Sequence, residues 1–188
     1  MKFSLQHSVA FIFSTVLFLH AHAHKAHNHG TANIDVAIDG NQAKFNFEIP
    51  AASMYGFEHE AKNEKEKKLV ADSKQKFENN INKIVILEDR LKCNFQIIKL
   101  DPFSTDDEED SSDDQKNSKS AEKNKHSAQH GDFKAEVLAK CEKSLSKSKL
   151  SFALIKFFPK IENIFVKGLS NEKQFSLHLK NEKGSLEL

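Results

Sequence analysis

Thr31-Ala32-Asn33-Ile34-Asp35-Val36-Ala37-Ile38-Asp39, then Gly40-Asn41, then Gln42-Ala43-Lys44-Phe45-Asn46-Phe47-Glu48-Ile49-Pro50, is the stretch from which the fold is read. Ala32, Ile34, Val36 and Ile38 fall on one face of an extended chain, and Phe45, Phe47 and Ile49 do the same over residues 43–49. Side chains in a strand alternate between faces, so each run predicts a half-buried strand. Gly40-Asn41 between them predicts a β-hairpin, and Pro50 ends the second strand because it lacks an N–H for the ladder.

Outward from the hairpin, residues 60–79 are rich in Glu, Lys and Ala with no Gly or Pro, and predict an exposed helix turning Leu69, Val70 and Phe77 inward. Residues 81–87 read either as its last turn or as a short buried strand. Leu91, Cys93, Phe95 and Ile97 alternate, predicting a strand over 91–100. Residues 101–131 change character, with seven acids in the nine positions Asp106–Asp114 and almost nothing to bury, so a long mobile loop is expected. Phe133, Ala135, Val137, Ala139 and Cys141 predict the next strand. Leu145, Leu150, Phe152, Leu154, Ile155, Phe157 and Phe158 predict a second helix over 144–158, stopped by Pro159. Short strands follow at 161–167, 173–180 and 185–188. The order is ββαβ–loop–βαββ. It predicts an α+β domain, a mostly antiparallel sheet with two helices packed on one face.

Before the hairpin the sequence is of another kind. Lys2, the apolar stretch Val9–Leu19 and the small residues Ala21 and Ala23 form a secretory signal pattern, and the stretch is too short to span a bilayer, which takes roughly 20 residues. Residues 1–23 are therefore expected to be a signal peptide and 24–188 one mature domain, exported and without stable membrane insertion. Cutting before His22 instead leaves a free amine beside His22 and His24, a set that suits Cu(II) or Ni(II). Net charge is +1, and Arg90 is the single arginine, so neither phosphate clamping nor base readout is expected and nucleic acid is not a partner.

His22, His24, His27 and His29 crowd the expected new N-terminus. Neutral imidazoles on a tether bind Zn(II) or Cu(II), with water completing the shell. His126 and His130 stand near the acidic run and form a second candidate site of low specificity. Glu58-His59 could ligate metal or do acid–base work, but such pairs more often order a helix entry. His178 projects from the face opposite Leu177 and Leu179 and reads as a surface residue. Cys93 and Cys141 are an even pair, which in an oxidising compartment reads as a disulfide; the alternative is two soft metal ligands, disfavoured by their wide spacing and the lack of C-x-x-C. No motif supplies a nucleophile with its base, so an enzyme is not expected. Besides a metal binder, the remaining class is a protein-interaction module docking a basic partner on the acidic loop.

Four blocks, in order, resemble the ZrgA-like periplasmic zinc-binding family of small secreted Gram-negative proteins. They are His27-Asn28-His29-Gly30-Thr31-Ala32 with Ile34–Gly40; Pro50 with Gly56-Phe57-Glu58-His59; Cys93 and Cys141 around a polar loop; and Phe157-Phe158-Pro159 through to Leu186-Glu187-Leu188. The resemblance implies zinc capture or buffering in the periplasm in support of import through a zinc ABC transporter. It places His24, His27 and His29 on the family's histidine-rich start, His126 and His130 on its histidine-rich loop, and His59 on its Gly-Phe-Glu-His block, with no role attached. The loop here is mostly acid, Ser and Lys where relatives are dense in His and Asp, which moves weight to the N-terminal histidines.

Overall fold

The computed structural model describes residues 29–105, 130–170, 173–180 and 184–188. The hairpin forms as expected: β1 (Thr31–Asp39) pairs antiparallel with β2 (Gln42–Pro50) from Asn33↔Glu48 to Asp39↔Gln42. Gly40 takes φ +57°, the positive value that a two-residue hairpin turn asks of its first position and that glycine adopts without steric cost. Ile34, Val36, Phe45, Phe47 and Ile49 are all buried on one face, while Asp35, Asp39 and Lys44 face outward.

A short α1 (Ala51–Tyr55) follows, then α2 (Glu64–Ile84), β3 (Val85–Leu87) and a single 3-10 turn at Asp89–Leu91. The stretch 81–87 is thus both things its sequence allowed, helix to Ile84 and strand from Val85. Next come β4 (Asn94–Ser104), β5 (Asp132–Lys140), β6 (Lys149–Phe152), α3 (Leu154–Phe157), β7 (Asn163–Leu169), β8 (Gln174–Lys180) and β9 (Leu186–Glu187). β4 runs through Ser104, into the stretch expected as loop. Six strands make one sheet in the order β4-β5-β2-β1-β7-β8, and β3-β6-β9 make a smaller one. β1 and β7 are parallel, so the large sheet is mixed.

The expected α+β arrangement with two helices on one face is therefore wrong: the described chain is mostly β, with nine strands in two sheets and one long helix. The second helix is interrupted early in its expected span. Lys147 turns into the left-handed region at φ +57°, and the buried Ser148 hydroxyl donates to the Leu145 carbonyl, which closes a turn where helix was expected. Beyond it Leu150 and Phe152 are buried and Lys149 is exposed, a period of two rather than 3.6. Only Leu154–Phe157 coil.

The inner face of the large sheet is covered by α2 and by the small sheet. Phe77 of α2 lies edge-on to Phe47 at 5.2 Å and to Phe133 at 5.1 Å between ring centres, and Phe152 of β6 lies edge-on to Phe45 at 6.2 Å. Leu69, expected to turn inward, is 40% exposed; Phe77, Ile81 and Ile84 carry the buried stripe. Cys93 and Cys141 form a disulfide across the start of β4 and the end of β5, beside the Asn94↔Lys140 pair.

Candidate metal centre

β1 and β5 both run antiparallel to β2 and flank it on either side. Their first residues therefore lie at the same end of the sheet, the end where β2 finishes at Pro50 and hands over to α1. His29 stands two residues before β1 and His130 two before β5, so strand order alone brings both to that end. Each is followed by a glycine. The Gly30 N–H donates to the buried Ser53 hydroxyl of α1 at 3.2 Å, and its carbonyl accepts from the N–H groups of Glu162 and Asn163. The Gly131 carbonyl accepts from Ala51 of α1, and its N–H donates to the Glu58 carbonyl at 3.1 Å.

Glu58 stands between the two histidines. α1 ends in a left-handed Gly56 at φ +102°, which turns the chain back across the sheet end. The turn is stiffened by a ladder of rings: Tyr55 to Phe57 at 4.7 Å, and Phe57 stacked on His59 at 4.9 Å. The Tyr55 hydroxyl donates to the Pro102 carbonyl at 2.8 Å, fastening α1 to β4. Burial, with the charges of Asp101 and Asp132 nearby, pushes this phenol far above its usual titration range. Glu58 then projects toward the strand entries, its side chain only 18% exposed. His130 Nδ1–H donates to Oε2, and His29 Nδ1 lies 2.6 Å from Oε1. Oε1 is buried, and His29 is its ion-pair partner. The two imidazoles stand edge to face, 6.2 Å between ring centres.

Of the histidines singled out in the sequence, then, the structure joins His29 and His130. His59 faces elsewhere, its Nδ1 at 2.9 Å from the Glu60 carbonyl and 3.9 Å from Glu66. His178 is exposed and stacks on Phe165 at 4.2 Å. His22, His24, His27 and His126 lie outside the described residues, as does the acidic run. Glu58 is the residue that sequence reasoning undervalued, because it was weighed with its neighbour His59 rather than with two distant side chains. A signal was present in the repeated His-Gly, once before each strand that flanks β2. As they stand the three side chains touch one another, and among the described residues no group of three or more His, Cys, Asp and Glu is set to hold a metal ion.

At one end of a mostly-β domain two imidazoles meet on one buried carboxylate, residue types that metal-handling proteins use. The chain belongs to the ZrgA family of zinc uptake proteins, whose profile matches residues 26–188. None of the curated proteins matches it. Among the described residues no helix is long and apolar enough to cross a membrane.

Proposed function

We propose that the mature chain, residues 24–188, is a non-enzymatic periplasmic protein that captures or buffers Zn(II) and supports its uptake, delivering it to a zinc ABC transporter. The observation that carries this is the meeting of His29 and His130, the heads of the two histidine-bearing segments, on one buried carboxylate in a chain of a zinc uptake family. The family match begins at residue 26, just beyond both expected signal cuts. His22, His24, His27 and His126 are proposed as further imidazoles that raise the local chance of capture, with His59 a weaker candidate. Zinc held by few protein ligands and completed by water exchanges readily, as a carrier requires, whereas a closed four-ligand site would be structural.

Calorimetric titration of the mature, disulfide-bonded protein tests the reading. Zinc is expected to bind at micromolar concentration or tighter and to be lost by about pH 5, since protonated imidazole cannot ligate. His24→Ala/His27→Ala/His29→Ala is expected to lose most of the zinc while circular dichroism shows the fold intact. Undiminished zinc in that variant, or an unfolded apo protein, overturns the proposal. A large preference for Cu(II) or Ni(II), with a mature start at His22 by mass spectrometry, replaces it with a chelator using the terminal amine.

A further inference from the structure

We propose that the outer edge of β8 is a docking site for a second copy of this chain, the two copies pairing β8 to β8 antiparallel across a two-fold axis at Leu177 to make one continuous sheet. β4 and β8 are the two edges of the large sheet, and they are finished differently. The β4 edge is closed. Its pairing with β5 slips twice, between Ile97 and Lys99 and between Asp101 and Ser104. It carries Pro102, whose carbonyl accepts from Tyr55, and the Phe103 N–H donates to the Asp101 side chain. Bulges, proline and local bonding keep sheet edges from pairing with other chains. β8 has none of these. It pairs with β7 without a slip from Asn163↔Lys180 to Leu169↔Gln174 and contains no Pro. Apart from His178, its one ionisable side chain is Lys180, at its end.

The Ser170 N–H donates to the Lys173 carbonyl, which fixes the phase of the β7–β8 ladder. Bonded and unbonded pairs alternate in an antiparallel ladder, so Phe175, Leu177 and Leu179 direct their backbone groups at β7. Those of Gln174, Ser176, His178 and Lys180 point away from it, and among the described residues no other element bonds to them. The stack of His178 on Phe165 at 4.2 Å fits this phase, since side chains of unbonded pairs lie nearest. A second β8 laid with Leu177 opposite Leu177 matches the edge in every respect. Ser176 faces the partner's His178 and Gln174 faces the partner's Lys180, and both pairs exchange backbone hydrogen bonds. On the inner face the half-buried Phe175 meets the partner's Leu179, and the half-buried Leu177 meets its own counterpart. Lys180 meets a neutral amide, so no like charges stand opposite each other. A slip by one residue would set apolar side chains against polar ones. β7 separates the seam from β1, so the seam stands apart from His29, Glu58 and His130.

The test is sedimentation velocity on the full mature, disulfide-bonded chain in excess chelator, so that bound metal cannot bridge two copies. One strand-to-strand seam is small beside a stable interface, so a reversible dimer with Kd on the order of 100 μM is expected. Ser176→Pro removes an outward N–H without touching the β7 ladder and is expected to weaken the dimer about tenfold. Gln174→Lys sets like charges opposite each other at both ends of the seam and is expected to weaken it roughly fivefold; adding Lys180→Glu is expected to restore it. Ile98→Lys, at an exposed position of the β4 edge, is expected to change nothing. Should Ser176→Pro fail to fold by circular dichroism, the charge pair decides, since Gln174 and Lys180 are both exposed. A wild type that stays monomeric to about 500 μM overturns the proposal and leaves the edge to an extended segment of another protein. So does a dimer that Ser176→Pro and Gln174→Lys leave intact, or one that Ile98→Lys breaks.

Discussion

A methyl group on residue 131 would sit 1.9 Å from the Phe103 ring, so at this point the backbone passes directly beneath an aromatic side chain and only glycine fits. The same residue donates to Glu58 and accepts from Ala51, which couples the packing to the place where His29, Glu58 and His130 meet. Gly131→Ala is expected to destabilise by roughly 1–3 kcal/mol, as overpacking does, and to weaken zinc binding by moving His130. Thermal melting followed by zinc titration checks both, and Phe103→Ala in the same chain is expected to restore part of each. At this scale the sequence was legible by residue type: histidine is uncommon enough outside a site that His29 and His130 stood out. Glu58 did not, since nothing local marks a carboxylate whose partners arrive from residues 29 and 130 through strand pairing.

The entry to α2 shows what an element owes to its ends. Asn63 Oδ1 accepts from the Glu66 N–H at 2.9 Å, and Glu66 Oε2 accepts from the Lys62 N–H at 2.7 Å, a reciprocal closure of the first turn. Asn63→Ala is expected to cost about 1 kcal/mol, read from chemical denaturation. The hydrogen bond from Lys62 is the main influence holding the Glu66 carboxyl below its ordinary range. A carboxylate with a lowered folded-state pKa contributes stability above its unfolded value, about pH 4, and loses it as pH falls through the folded one. Glu66→Gln is therefore expected to flatten the acid limb of the helix signal in circular dichroism; an unchanged limb would place the sensitivity elsewhere. α2 was legible because it is long, free of Gly and Pro, and charged in the order a helix favours. Residues 149–152 were not, since Leu150 and Phe152 fit a helical stripe nearly as well as a strand. What decides between the two is pairing with β3 and β9, elements far away in the chain.

For the whole molecule, the hairpin seen in residues 31–50 was read correctly and sits at the centre of the large sheet, but the architecture around it was not. The error came from the second half, where one long helix was expected and the chain instead supplies β6 and a single helical turn. The parallel β1–β7 pair carries no local signal, because it joins strands from opposite ends of the sequence. The disulfide was legible from an even cysteine count. Cys93 and Cys141 are 48 residues apart, and closing such a loop is expected to stabilise by about 4 kcal/mol on the chain-entropy model. Guanidinium unfolding with and without reductant measures it, and a difference below a quarter of that value would mean that the reduced chain already keeps β4 and β5 together.

The parallel pairing also bears on when the fold can close. Thr31 of β1 lies opposite Asn163 of β7, so the first strand to be synthesised has to wait for nearly the last. Synthesis runs from the N-terminus, and the hairpin can zip at once on its β2 side. Its other edge stays open to any strand that comes near until residues 163–169 emerge. The central seam of the molecule is thus sealed late, only when the last quarter of the chain is at hand.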